Sequence, residues 1–243
     1  MKQSALIMLF IATLASCKKD DNNTNSNNNN NTPTSYVCPT CVTAPEAKSE
    51  HDAGSGGVYK GVIVGSSGTI ALYLYNTGTE VKALVSFDGK SATFTTQSLS
   101  SWSPGQPISN ALFTGTIDGK AMSAYFSVDA NGQNPQVQMT IPGHTVNVAV
   151  YKETSKALVK NYEGTYTGDD AGTFNMTLNG NDYSIVVSGG GILEGSLVNG
   201  AIDHLTQKDQ VEVKGTFNGD DVSGTWKDTK STKQGTWSGK RTL

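Results

Sequence analysis

The sequence predicts an all-β protein built as two tandem antiparallel meander units, each curling into a small up-and-down barrel. Three observations predict it. Gly is abundant and charged residues are few, at 27 glycines and 16% of the chain, while Asn, Thr and Ser fill the polar positions. From residue 57 onward, short runs alternate apolar and polar residues and are separated by Gly, Asn and Asp. Finally, a unit of this kind is met twice. A two-sheet sandwich, or one barrel built from both copies, would answer to the same pattern.

In chain order, residues 1–16 come first. Lys2 precedes an apolar run from Ala5 to Ala15, broken only by Thr13, which is too short to span a bilayer as a permanent helix. Leu14-Ala15-Ser16-Cys17 ends it. These four residues resemble the lipobox of bacterial lipoproteins. The resemblance implies that residues 1–16 are a signal peptide cut before Cys17, that Cys17 is lipidated, as by palmitate, and that the membrane partner is reached through that lipid anchor. Lys18-Lys19-Asp20-Asp21 behind the cysteine is similar to the export signal of Bacteroidota surface lipoproteins, which implies an outer-membrane, cell-surface location.

Residues 17–56 are expected to form a disordered tether. Residues 22–31 are almost entirely Asn, with nothing apolar to offset the entropy of ordering. Such a tether would hold the folded part on the order of 30 Å from the lipid headgroups. Within it, Cys38-Pro39-Thr40-Cys41 can close a local disulfide in one turn. A zinc site would need more ligands than His51 supplies, and a redox site a helix that the pattern lacks.

The first β unit is expected over residues 57–155 and the second over 156–243. Residues 57–61 (GVYKG) match 164–168 (GTYTG), and Gly68-Thr69 with Leu72 and Leu74 matches Gly172-Thr173 with Met176 and Leu178. Residues 115–119 (GTIDG) match 215–219 (GTFNG), with Phe126 answering Trp226. About seven strands are expected per unit, those of the second near 164–168, 173–178, 183–187, 192–198, 211–217, 222–227 and 235–240. Asn179-Gly180 and Asn218-Gly219 suit tight hairpins that need positive φ. Ile70, Leu72 and Leu74 alternate with Ala71, Tyr73 and Tyr75, so both faces of that strand are expected to be covered, the outer one by the second unit or else by an external partner. Residues 156–161 read as linker. The G-x-Y openings resemble the G-x-W of lipocalin-like and avidin-like barrels; the likeness implies a barrel and no ligand.

Chemistry is sparse. No nucleophile, histidine or metal-binding motif of known spacing is present, so no catalytic residue, metal ligand or cofactor is assigned, and the chain is not expected to be an enzyme. Asp129-Ala130-Asn131-Gly132 opens like a calcium loop but lacks the closing acidic residue. Net charge is −3 with no basic cluster, which argues against nucleic acid. Two long loops fall after the fourth strand of each unit, residues 98–110 with Trp102 and residues 199–210 with Asp203 and His204. These three residues are the candidate ligand contacts. Trp102 would either face solvent as an anchor for a glycan or surface protein, or fold back to plug its own barrel.

The expected role is therefore binding or interaction in the cell envelope. Two rivals stand beside it, a glycan-active enzyme at the loop ends and a lipocalin-like carrier of an apolar ligand. Convergent carboxylates or histidines in one cleft would mark the enzyme, a hollow lined barrel the carrier, and an aromatic rim the plain binding module.

Overall fold

The computed structural model describes residues 35–243 apart from residues 66, 189, 190 and 207–209. The lipobox, Cys17 and the Asn-rich stretch lie outside the described residues. Among the described residues there are sixteen strands and one 3-10 turn, Ser49–His51, and no α-helix. All strand pairing is antiparallel, as the alternating pattern requires.

The first meander runs β1 (Gly57–Val64), β2 (Gly68–Leu74), β3 (Val81–Phe87), β4 (Lys90–Phe94), β5 (Ile108–Ile117), β6 (Lys120–Val128), β7 (Gln136–Thr140) and β8 (Asn147–Glu153). Its last strand pairs with its first, Val58 opposite Glu153 and Ile63 opposite Val148. A bridge between Thr95 and Thr114 joins the end of β4 to β5, so the sheet curls around on itself. The second meander runs β9 (Val159–Gly168), β10 (Gly172–Asn179), β11 (Asp182–Val187), β12 (Ile192–Ser196), β13 (Ile202–Leu205), β14 (Val211–Asn218), β15 (Asp221–Asp228) and β16 (Gln234–Arg241). Here β16 pairs with β9, and the ladder is continuous from β12 round to β13. Those two strands do not pair with each other. The second barrel is nearly closed, with one seam.

Each unit thus has eight strands where about seven were expected. The additional strand of the second unit is β13, which lies within the loop expected over 199–210. It was illegible because Ile202-Asp203-His204-Leu205 is too short to show a period. The expected hairpins at Asn179-Gly180 and Asn218-Gly219 form, with positive φ at Gly180 and Gly219. The expected linker is shorter: a turn closed by Thr154 and Ala157 leads directly into β9.

The internal match holds only in part. Gly68 pairs with Ile63, and Gly172 pairs with Tyr166; Leu72 pairs with Tyr59 as Met176 does with Tyr162. In that register Tyr59 and Gly61 answer Tyr162 and Gly164, so the expected alignment of the opening strands is displaced by four residues. The match of 115–119 with 215–219 fails, because Gly115 lies on the fifth strand of its meander and Gly215 on the sixth. Their likeness is local. At each position a Cβ would overlap an inward ring, Phe94 in one barrel and Trp237 in the other, so each glycine makes room for an aromatic.

The first barrel is filled by side chains, including Tyr59, Ile70, Leu72, Phe94, Phe113 and Phe126, all fully buried. The outer face of β1 is buried too. Val62 and Val64 pack with Ala149 and with Val186 of the second barrel, while Asn161 and Asn175 donate side-chain amides to the carbonyls of Gly61 and Ile63 at 2.8 and 2.7 Å. The outer face of β2 is covered differently from expectation. Tyr73 hydrogen-bonds Glu46, from the segment ahead of the barrels, at 3.1 Å.

That segment corrects the expected tether, since residues 35–56 are ordered against both barrels. Glu153, fully buried, accepts the amides of Glu46, Ala47 and Val159 and the ammonium of Lys60. Backbone donors need partners when buried, and this carboxylate supplies them at the junction of segment, first barrel and second barrel.

Candidate ligand pocket

The two barrels differ in what their ends hold, and the difference locates the site. One end of each is closed by chain that precedes it. In the first barrel Lys152, on the last strand, lies 5.3 Å from the Tyr59 ring and donates to the carbonyls of Gly54 and Gly56. Burial lowers the Lys152 ammonium to about 8, partly opposed by Asp52. In the second barrel Arg241, also on the last strand, pairs opposite Tyr162 and contacts Asp220, Val42 and Leu243. Burial pushes the Tyr162 phenol up to about 12, with the Arg241 charge opposing.

Residues 35–42 are the plug of that second end. The amides of Tyr36 and Cys38 donate to Asp221 and Asp220 at 2.8 and 2.9 Å. Cys38 and Cys41 are joined in a disulfide, their Cα atoms 5.4 Å apart, which fixes the turn. The expected local pairing of these cysteines is therefore present, and its surroundings are structural.

Trp102 also has a structural place. It is 9% exposed, its indole N–H donates to the Gln106 carbonyl at 3.0 Å, and its ring packs on Tyr75. Of the two roles expected for it, plugging the barrel is the one realised, and the solvent-facing anchor is corrected. The reason is geometric: the loop carrying it returns over the barrel end, where Ser55 bonds the same Gln106 carbonyl at 2.6 Å. Asp203 and His204 are not on a free loop either. They alternate on β13, Asp203 exposed and His204 half-buried on the inner face, with Nδ1 3.2 Å from the Tyr183 hydroxyl. Trp102 is thus in a different barrel from Asp203 and His204, and the three do not converge.

What remains open is the other end of the second barrel. A pocket of about 290 Å³ enters there, among the ends of β9, β11, β13 and β15. Its walls carry the rings of Tyr166, Phe174, Trp226 and Trp237, with aliphatic side chains between them such as Ile185 and Val213. Phe174 meets Trp237 edge to face at 5.4 Å, and Tyr166 meets Trp226 likewise at 6.4 Å. Both indole N–H groups are spent on backbone: Trp237 donates to Lys214 and Thr225, Trp226 to Thr167. The rings are therefore held in place and present hydrocarbon to the pocket.

The pocket exists because the seam leaves this end unfilled. With β12 five residues long and β13 four, the two strands pair with neighbours but not across the gap. Ile192 stands at that gap, half exposed. In the sequence these aromatics read only as members of alternating strands, with nothing to mark them as pocket walls. The signal that could have separated them is their opposition to glycine: Trp226 pairs with Gly235, Trp237 with Gly224, and Tyr166 with Gly172.

A second concavity, about 740 Å³, lies between the barrels. Asp182 and Glu194 line it, but each already accepts a hydrogen bond from a serine of the neighbouring strand, Ser196 and Ser184. They serve their own sheet. Asp129, at the calcium-like loop, accepts from Asn134 at 2.7 Å, which is turn chemistry. Among the described residues no three His, Cys, Asp or Glu side chains group to hold a metal ion. None of the described helical turns is long and apolar enough to cross a membrane.

Comparison of the chain with protein-family models, with curated proteins and with solved structures finds no match in any of the three.

Proposed function

We propose that this chain is a lipid-anchored binding protein of the cell envelope whose second barrel takes up a small apolar molecule. The observation that carries the reading is the contrast between barrels: one is packed to its ends, the other carries an aromatic-walled pocket open to solvent. An apolar hollow inside a barrel is a feature of carriers, and small-molecule sites are concave, mostly apolar and largely pre-formed. The role is binding, since the described walls are chiefly aromatic and aliphatic side chains. The anchor rests on Lys2, the apolar run and Leu14-Ala15-Ser16-Cys17.

The uptake is tested by calorimetric titration with naphthalenemethanol, a neutral two-ring probe. A dry apolar cavity of roughly 150 Å³ binds benzene, so this larger pocket suits two fused rings. Saturable binding is expected in the native chain and its loss in Val213→Phe, which places a ring inside the pocket. Binding that survives Val213→Phe unchanged would move the site elsewhere. The anchor is tested by growth with labelled palmitate: the native chain should carry label and Cys17→Ser should not. Equal labelling of the two would end the lipoprotein assignment.

A further inference from the structure

The chemistry of the pocket walls bears on which apolar molecules enter, and the inference rests on the uptake reading above. The lining holds four aromatic rings and a single described ionisable side chain of defined charge, the carboxylate of Asp170 at the rim. No Lys, Arg or His stands among the described lining residues. A carboxylate on the ligand would meet the like charge of Asp170, and would be drawn from water beside it. A positive or hydrogen-bond-donating group would meet the reverse: Asp170 to accept, and ring faces whose quadrupole attracts cations.

The hydroxyls of the described lining, on Thr206 and Tyr166, are neutral, so the charge preference rests on Asp170. Thr206 already accepts the Val211 amide at 2.8 Å, which leaves its hydroxyl proton for a ligand acceptor, neutral or charged. Asp170 accepts the adjacent Ala171 amide through one oxygen, Oδ1. Both indole N–H groups are engaged by the backbone, and the Tyr166 hydroxyl is a further neutral donor among the described lining residues. The described lining therefore meets a carboxylate with neutral hydroxyls and the like charge of Asp170, and meets a ring with four aromatic side chains.

We infer that the second-barrel pocket selects aromatic or polycyclic ligands whose polar end is neutral or cationic, with Asp170 at the rim setting the charge preference, and that it discriminates against apolar carboxylates such as fatty or aryl acids. Three probes with one body separate the terms: naphthylmethylammonium, naphthalenemethanol and naphthoate, each titrated into the full folded chain at neutral pH. The ammonium and the alcohol are expected to bind, and naphthoate to bind about tenfold more weakly or less. Asp170→Asn keeps the local amide bond available through its side-chain oxygen. It should weaken the ammonium by about threefold, as befits a solvent-screened rim charge, and leave the alcohol unchanged.

Naphthoate binding as tightly as the alcohol overturns the charge selection while the pocket stands. An Asp170→Asn chain that binds the ammonium as well as the native chain overturns the role of that carboxylate. If none of the three probes binds, the uptake reading itself falls, and the selectivity with it.

Discussion

At the scale of single residues, Trp102 shows how one aromatic in a polar loop can be read two ways until its surroundings are known. Among Ser, Gly and Pro it looks like an exposed anchor. In the fold it packs on Tyr75, and its indole bonds the Gln106 carbonyl, closing the end of the first barrel. Trp102→Ala should therefore open a cavity and cost about 3–5 kcal/mol of stability, read as a large fall in the thermal midpoint. Binding of naphthalenemethanol should not change, because the probe's pocket lies in the other barrel. A variant that melts like the native chain would show the ring to be dispensable for packing.

At the scale of elements, the segment 35–42 and the ends of β14 and β15 form a unit whose hold depends on protonation. Burial alone would raise the Asp220 carboxyl, but the Cys38 amide, the Arg241 guanidinium and the charge of Lys160 outweigh it and hold the group below its ordinary 3.8. A carboxylate depressed in the folded state binds fewer protons there than when unfolded. Its contribution is thus present above about pH 3.8 and is lost as pH falls through the lower folded-state value. Amide exchange at Cys38 should accelerate below that pH relative to the strands of the barrel. In Asp220→Ala the Cys38 amide should exchange quickly already at neutral pH. Exchange that is slow in the variant would mean that the plug is held by other contacts.

At the scale of the whole molecule, the two barrels share one junction and should not unfold separately. Lys60 and Glu153 are both fully buried and 2.8 Å apart, with Glu46 also 2.8 Å from Lys60. The same glutamate bonds the first amide of β9, so the pair sits where segment, first barrel and second barrel meet. Glu153→Ala would leave a buried ammonium with one remaining partner and three amides unpaired. The expected cost is about 3–5 kcal/mol, with the unfolding transition kept single. Two resolved transitions in the native chain would refute the shared junction. The charges matter for register more than for net stability, because desolvation offsets much of their attraction.

What the sequence determined by itself was whatever depends on local pattern. Alternation along Val222–Trp226 and around Trp237 placed strands, Asn-Gly pairs placed hairpins, and two closely spaced cysteines placed a disulfide, since each rests on neighbours in the chain. Long-range closure was not local, and the tertiary structure decided it. The pairing of β1 with β8 and of β9 with β16, the failure of β12 to meet β13, and the ordering of residues 35–56 all join positions far apart in the chain. Glycine opposite aromatic reads the same in sequence whether the ring fills a barrel, as Phe94 does beside Gly115, or lines an open one, as Trp237 does beside Gly215. Whether a ring becomes core or wall is settled by how many strands close around it, and that is a property of the whole sheet.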